Sequence, residues 1–158
     1  MRDSVSVARL AKLHPLVRDT FKAFIEDCEA LNPDTTLRIT QGLRTFDEQQ
    51  ALYNQGRNGN PGKIVTNASA GQSYHNYGLA IDLVELDGAK NEIADWKFDM
   101  VTLKPIADKH GIVWGGNFKS IKDKPHFEKT FGFNWKQLLE LRKKGAVDAD
   151  GYVIINAL

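Results

Sequence analysis

The stretch from Ser73 to Leu83, S-Y-H-N-Y-G-L-A-I-D-L, places the strongest constraint on this chain. His75 stands seven residues before Asp82, with Gly78 between them. After Gly78 the residues alternate: Leu79, Ile81 and Leu83 share one parity, and Ala80, Asp82 and Val84 share the other. A strand sends those two sets to opposite faces. Asp82 is therefore predicted to project from the face that the large aliphatics do not fill. A carboxylate on so apolar a strand needs a partner, because an unpaired buried charge is very costly. A metal ion is one such partner, and His75 can reach it from the preceding loop.

A second stretch, Asp123-Lys124-Pro125-His126-Phe127-Glu128, completes the idea. Read as a strand, it puts His126 and Glu128 on one face and Phe127 on the other. His126 is the candidate third ligand, and three protein ligands with an open fourth position is the arrangement of catalytic zinc. Imidazole nitrogens suit zinc better than magnesium or calcium. Asp123, three residues earlier, is close enough to act as a base without being a ligand. Singly, each residue has a plainer reading: a satisfied polar histidine, an aspartate bonding a nearby loop, a chance D-x-x-H. Together, two histidines and a carboxylate near strand ends, each stretch entered through a glycine-containing loop, point to a zinc hydrolase.

The surrounding pattern predicts an α+β fold, a small antiparallel sheet carrying the zinc site and flanked by helices. A length of 158 residues with 42% apolar content fits one domain, 1–158, with a real core. Val5 to Leu31 has mostly helical spacing, and Pro15 predicts a break near His14, read as a cap or surface contact. Thr36 to Leu43 reads as a strand. Thr45-Phe46-Asp47-Glu48 has capping-box spacing and opens a helix closed at Gly56. Arg44 thus falls at a strand-to-helix junction, a common place for a functional side chain; a surface pair with Asp47 or Glu48 is the equal alternative.

The Gly- and Asn-rich run from Gln55 to Gln72 reads as a long loop bordering the site. Asp87-Gly88 reads as a turn. Trp96 to His110 is roughly helical, with Thr102 as cap, Pro105 in the first turn, and His110 structural in the last. Ile112 to Trp114 reads as a short strand, and Gly115-Gly116 allows close backbone approach. The charge of Lys119, Lys122 and Lys124 is expected to be solvated. Trp135 to Lys144 reads as a final helix stopped by Gly145, and Tyr152 to Ile155 as a terminal strand.

Lys+Arg of 21 against Asp+Glu of 20 leaves a net charge of +1, so no global field favours nucleic acid. The single cysteine, Cys28, has no internal disulfide partner and is expected to be a buried apolar residue. The first residues carry no long apolar run, so neither a signal peptide nor a membrane span is expected. The chain is then made in the cytoplasm, and a target beyond the membrane requires help with export.

The pattern S-x-H-x-x-G-x-A-x-D, carried by Ser73, His75, Gly78, Ala80 and Asp82, resembles the zinc peptidases of the D-alanyl-D-alanine carboxypeptidase and dipeptidase superfamily. Asp123-x-x-His126, preceded by W-G-G at Trp114 to Gly116, resembles the second half of that signature. Within the superfamily the likeness is to the L-alanyl-D-glutamate endopeptidases of phage lysins and related wall enzymes. The resemblance implies Zn2+ held by His75, Asp82 and His126, with Asp123 as general base and Arg44 holding the substrate carbonyl. An aspartate as base, where the dipeptidase branch has glutamate, leans toward the endopeptidases. The implied partner is the peptidoglycan stem peptide. A monomer is expected, with no nucleic acid and no membrane insertion, acting on the wall after release, holin-assisted if phage-encoded. The first rival is a D-alanyl-D-alanine carboxypeptidase or dipeptidase. The second is a non-catalytic zinc-containing wall-binding module, disfavoured because Asp123 and Arg44 are both present and structural zinc is more often closed by four protein ligands.

Overall fold

Asp3 starts the first helix by accepting from the Ser6 amide at 2.9 Å, which satisfies one of the amides that a helix start leaves open. This helix, α1, runs Ser4–Leu10, and α2 follows as Pro15–Leu31. Pro15 has no amide proton to lose at the first helical position. His14 caps α2, its Nδ1 accepting from the Leu16 amide at 3.2 Å, while Nε2 lies 2.7 Å from the Val153 carbonyl. A computed structural model of the chain describes residues 1–87, 92–93, 100–117 and 123–156. The Asp87-Gly88 turn, the start of the Trp96 run, Lys119 and Lys122 fall wholly or partly outside them.

The sheet is antiparallel throughout. Its strands are β1 (Thr36–Gln41), β2 (Ala80–Asp87), β3 (Glu92–Ile93), β4 (Val113–Trp114) and β5 (His126–Glu128), in the order β1-β2-β5-β4 with β3 also pairing β2. With α3 (Phe46–Asn54), α4 (Lys104–Lys109) and α5 (Trp135–Lys143), the fold is α+β, as the alternation and capping signals predict. One face of the sheet makes the core. Leu79, Ile81, Leu83 and Phe127 are fully buried in one cluster with Val17, Phe21, Phe24 and Ile25 of α2, the Phe24 and Phe127 rings 5.0 Å apart. Each such side chain stabilises the fold by about 1.5–3 kcal/mol. The buried cluster draws on residues from Leu10 to Ile155, and Cys28 is part of it.

The other face carries the chemistry, because the two-residue period leaves it no choice. Asp82 is opposite His126 on one side and Gln41 on the other. Gly78 makes the entry to β2 possible. It has φ +68°, and a side chain there would bring Cβ to 2.6 Å from the His14 amide, whose hydrogen bond goes to the Gly78 carbonyl.

Three expectations change. β1 ends at Gln41 rather than Leu43, because an irregularity between Ile39 and Gln41 shifts the register and takes the chain away from β2. Thr102 does not cap α4. A 3-10 turn, Met100–Leu103, runs straight into the helix, so the capping position falls on Leu103 in a right-handed helical conformation, where no side-chain cap forms. Tyr152 to Ile155 is not a strand beyond one bridge, Val147 with Val153. The Val153 carbonyl is taken by His14, and the turn from Asp148 to Gly151 closes the segment on itself.

Candidate metal centre

Three donor groups converge where β2 and β5 meet the turn before β2. One ligand atom each from His75, Asp82 and His126 lies within 4.8 Å of the others. His75 Nε2 is 3.3 Å from Asp82 Oδ1, and His126 Nδ1 is 3.2 Å from the same oxygen. Both far nitrogens are engaged. His75 Nδ1 lies 2.9 Å from the Gly42 carbonyl, and His126 Nε2 lies 2.8 Å from Glu128 Oε2. Those outer bonds aim the remaining nitrogens at Asp82, the arrangement by which metal-ligating histidines are oriented. Two imidazoles and a carboxylate form a donor set that fits zinc.

The local sequence explains the aim. Ser73 caps a 3-10 turn, Tyr74–Tyr77, its hydroxyl accepting from the His75 amide at 3.3 Å. Asn76, buried, ties this turn to its surroundings. Its side-chain oxygen accepts from the Gly71 and Ser73 amides at 3.1 and 3.3 Å, and its nitrogen donates to the Arg44 and Thr45 carbonyls at 3.0 and 3.3 Å. The Arg44 amide donates to the His75 carbonyl at 3.0 Å, so the end of the β1 segment and the histidine turn move as one piece. On the other side, Gly115 lets the loop before β5 come close. A Cβ there would stand 2.9 Å from the His126 Cβ and collide with the Asp123 carbonyl. The Asp123 amide donates to the Gly115 carbonyl at 3.0 Å.

Charge in the centre is strongly coupled. Burial alone would raise Asp82, yet hydrogen bonds from His126 and His75 hold it well below the usual carboxylate range. Burial likewise opposes charge on His126, but Asp82 and Glu128 outweigh it and raise that imidazole to about 9. Asp123, on an exposed residue at the mouth, is raised by desolvation and then by the Asp82 charge. A carboxyl raised this way is suited to accept and return a proton.

A cavity of about 360 Å³ holds these groups, lined by His75, Asp82, His126, Asp123 and Arg44, with Ser73, Val65 and Thr66 beside them. The run from Gln55 to Gln72 thus borders the site. Arg44 makes no ion pair with Asp47 or Glu48 among the described residues. Its guanidinium donates instead to Gln49 Oε1 at 2.9 Å and Gln41 Oε1 at 3.3 Å, and its Nε is buried without a partner. Residue reading passes over Asn76, Gln41, Gln49 and the Gly42 carbonyl, which carry no motif. Glu128 does have a signal, its place two residues from His126 on the same strand face. His110 lies apart, 2.8 Å from Asp27, and His14 serves as a cap, so neither joins the centre.

Residues 66–129 match a family model described as D-alanyl-D-alanine carboxypeptidase. The chain is 41% identical over 128 residues to the peptidoglycan L-alanyl-D-glutamate endopeptidase CwlK of Bacillus subtilis, covering 73% of this chain and 72% of the relative. Among solved structures, the L-Ala D-Glu endopeptidase ChiX of Serratia marcescens aligns with a TM-score of 0.54 at 24% identity, over 81% of this chain and 88% of that one. The LD-carboxypeptidase LdcB aligns with a TM-score of 0.55 at 18% identity, over 89% and 75%. These last two likenesses speak for the fold. The identity to CwlK, sustained across most of both chains, makes this protein a member of the D-alanyl-D-alanine carboxypeptidase family of metallopeptidases.

Proposed function

We propose that the protein is a zinc-dependent peptidoglycan peptidase that hydrolyses the L-alanyl-D-glutamate bond of the stem peptide. The observation that carries this reading is one cavity holding the His75, Asp82 and His126 donors together with Asp123 and Arg44. The name of the 41% identical relative supports the choice of bond. His75 Nε2, Asp82 and His126 Nδ1 are the groups that would hold the ion. Zinc bound there would acidify a water and polarise the scissile carbonyl.

The chain's own residues do the rest. Asp123 takes the proton of the attacking water and delivers it to the leaving amine, which needs a carboxylate at the cavity mouth that is not itself a ligand. Arg44, anchored by Gln41 and Gln49, presents its donors to the oxyanion that forms on the carbonyl. Ser73 is spoken for as the cap of the histidine turn and does not act as nucleophile. Every group named comes from one chain, so we take 1–158 as one working unit, active as a monomer. No helix among the described residues is long and apolar enough to cross a membrane. Action on the wall, in the manner of a lysin, then follows release across the membrane, through a holin if a phage encodes the chain.

Digestion of defined stem peptides, read by mass with and without chelator, tests the proposal. Chelator-sensitive products ending in L-alanine are expected. Release of D-alanine alone would mark a carboxypeptidase, and zinc binding with no product at all would mark a binding module.

A further inference from the structure

A second cleft, of about 580 Å³, lies between the α1 end and α3 and joins the metal cavity, since Gln41, Arg44 and Leu52 line both. Its charge is one-sided. Arg9, Lys12 and Arg44 face it against a single carboxylate, Glu48. Glu48 is already committed, accepting from the Thr45 amide at 2.8 Å in the capping box of α3. Arg9 is anchored by one donor, Nη1 to the Ile39 carbonyl at 2.5 Å, which holds the guanidinium in place. The Lys12 ammonium has no partner among the described residues, and the residue is exposed. On a chain of net charge +1 this is a local concentration of positive charge.

We propose that this cleft binds the glutamate-bearing side of the substrate, with Arg9 and Lys12 facing its free carboxylates; the inference rests on the L-alanyl-D-glutamate reading above. The chemistry of the two flanking residues decides the direction. Alanine offers a methyl group. Glutamate has two carboxyl groups, and continuing the chain uses one of them, so an anion remains beside the leaving amine. The metal cavity is bordered by Val65 and Thr66, a neutral wall suited to the alanyl side, whereas the joined cleft is cationic. The peptide then crosses the centre from the Val65 loop toward α1. Cationic side chains on the leaving side also favour the acidic substrate over its amide through ordinary charge complementarity.

The test uses the zinc-loaded protein and two synthetic stem tripeptides, one with free carboxylates on the glutamyl side and one with those groups as carboxamides. Lys12 is exposed, so Lys12→Ala and Lys12→Glu are expected to fold. On the acidic peptide, KM should rise about threefold for Lys12→Ala and about tenfold for Lys12→Glu, with kcat changed little. On the carboxamide, both variants should match the parent. Unchanged KM on the acidic peptide, or an equal rise on both peptides, would overturn the inference while leaving the activity in place. A parent enzyme that cleaves neither peptide would instead remove the activity reading, and this one with it.

Discussion

Each histidine of the centre is held through its second nitrogen, and that bond decides which nitrogen faces Asp82. For His126 the holder is Glu128, 2.8 Å away on the same strand face. Glu128→Gln should weaken zinc binding by about 10–100-fold, as loss of an outer carboxylate partner typically does, measured by competition with a calibrated chelator. Asp123 has the opposite signature. Asp123→Asn keeps the three donors, so zinc content should stay at the parent level. Turnover on wall peptides should fall by roughly 10²–10⁴-fold, because an amide cannot take the water's proton. Arg44→Ala should also retain zinc and lower turnover by roughly 10²–10³-fold, about 2.7–4 kcal/mol, if the guanidinium serves as an oxyanion donor. Arg44→Lys should recover only part, since an ammonium lacks the planar fork that spans Gln41 and Gln49. Near-parent turnover in Arg44→Ala, with zinc intact, would reduce Arg44 to a tie between β1 and α3.

At the level of elements, α1 depends on one carboxylate. Asp3 caps the helix and accepts from Arg38 of β1 at 2.8 and 3.1 Å, so it joins helix to sheet. Burial alone would raise this carboxyl, but the Arg38 and Ser6 bonds bring it down to about 2 from an ordinary 3.8. A depressed folded-state value means that the stabilisation is full above pH 3.8 and is lost as pH falls toward 2. After allowance for screening it amounts to about 1–2 kcal/mol. Urea midpoints should therefore drop across that window in the parent by more than in Asp3→Asn, which lacks the titrating group. Equal slopes would assign acid sensitivity elsewhere. The loop before β5 depends in the same way on Gly115, where any side chain meets the Asp123 carbonyl and the His126 Cβ.

For the whole molecule, a metal ion held by His75, Asp82 and His126 would tie the histidine turn and β2 to β5, which comes much later in the chain. An ion that binds only the folded state stabilises it by RT ln(1 + [L]/Kd), about 2.7 kcal/mol at a hundredfold excess over Kd. In a chain of 158 residues this should raise Tm by roughly 5–10 °C. Chelation should reverse the shift, and His75→Ala should show none. A parent Tm indifferent to zinc would argue against binding at this centre.

The periods of the chain alone determine much of this. Alternation from Leu79 to Val84 assigns Asp82 to the face opposite the core, because side chains in a strand have no other option. The same rule separates His126 and Glu128 from Phe127. Capping is equally local: Asp47 and Glu48 after Thr45 make a helix start whose hydrogen bonds close within four residues, and Pro15 fits only a first turn. Where the competing states were themselves local, as at Thr102, spacing misled, since a preceding 3-10 turn can enter a helix without any cap. The partners of Arg44 lay beyond reach of pattern. Gln41 and Gln49 come to it only after β1 breaks register and α3 folds back, whereas its acidic neighbours in sequence, Asp47 and Glu48, suggest an ion pair that is not among those of the described residues. The Gly42 carbonyl that holds His75, the partners Asp123 and His126 of the close approach that Gly115-Gly116 allows, and the cationic cleft at α1 have the same origin. Each is a contact between segments whose separation in the chain carries no information about distance, so only the packed tertiary structure decides it.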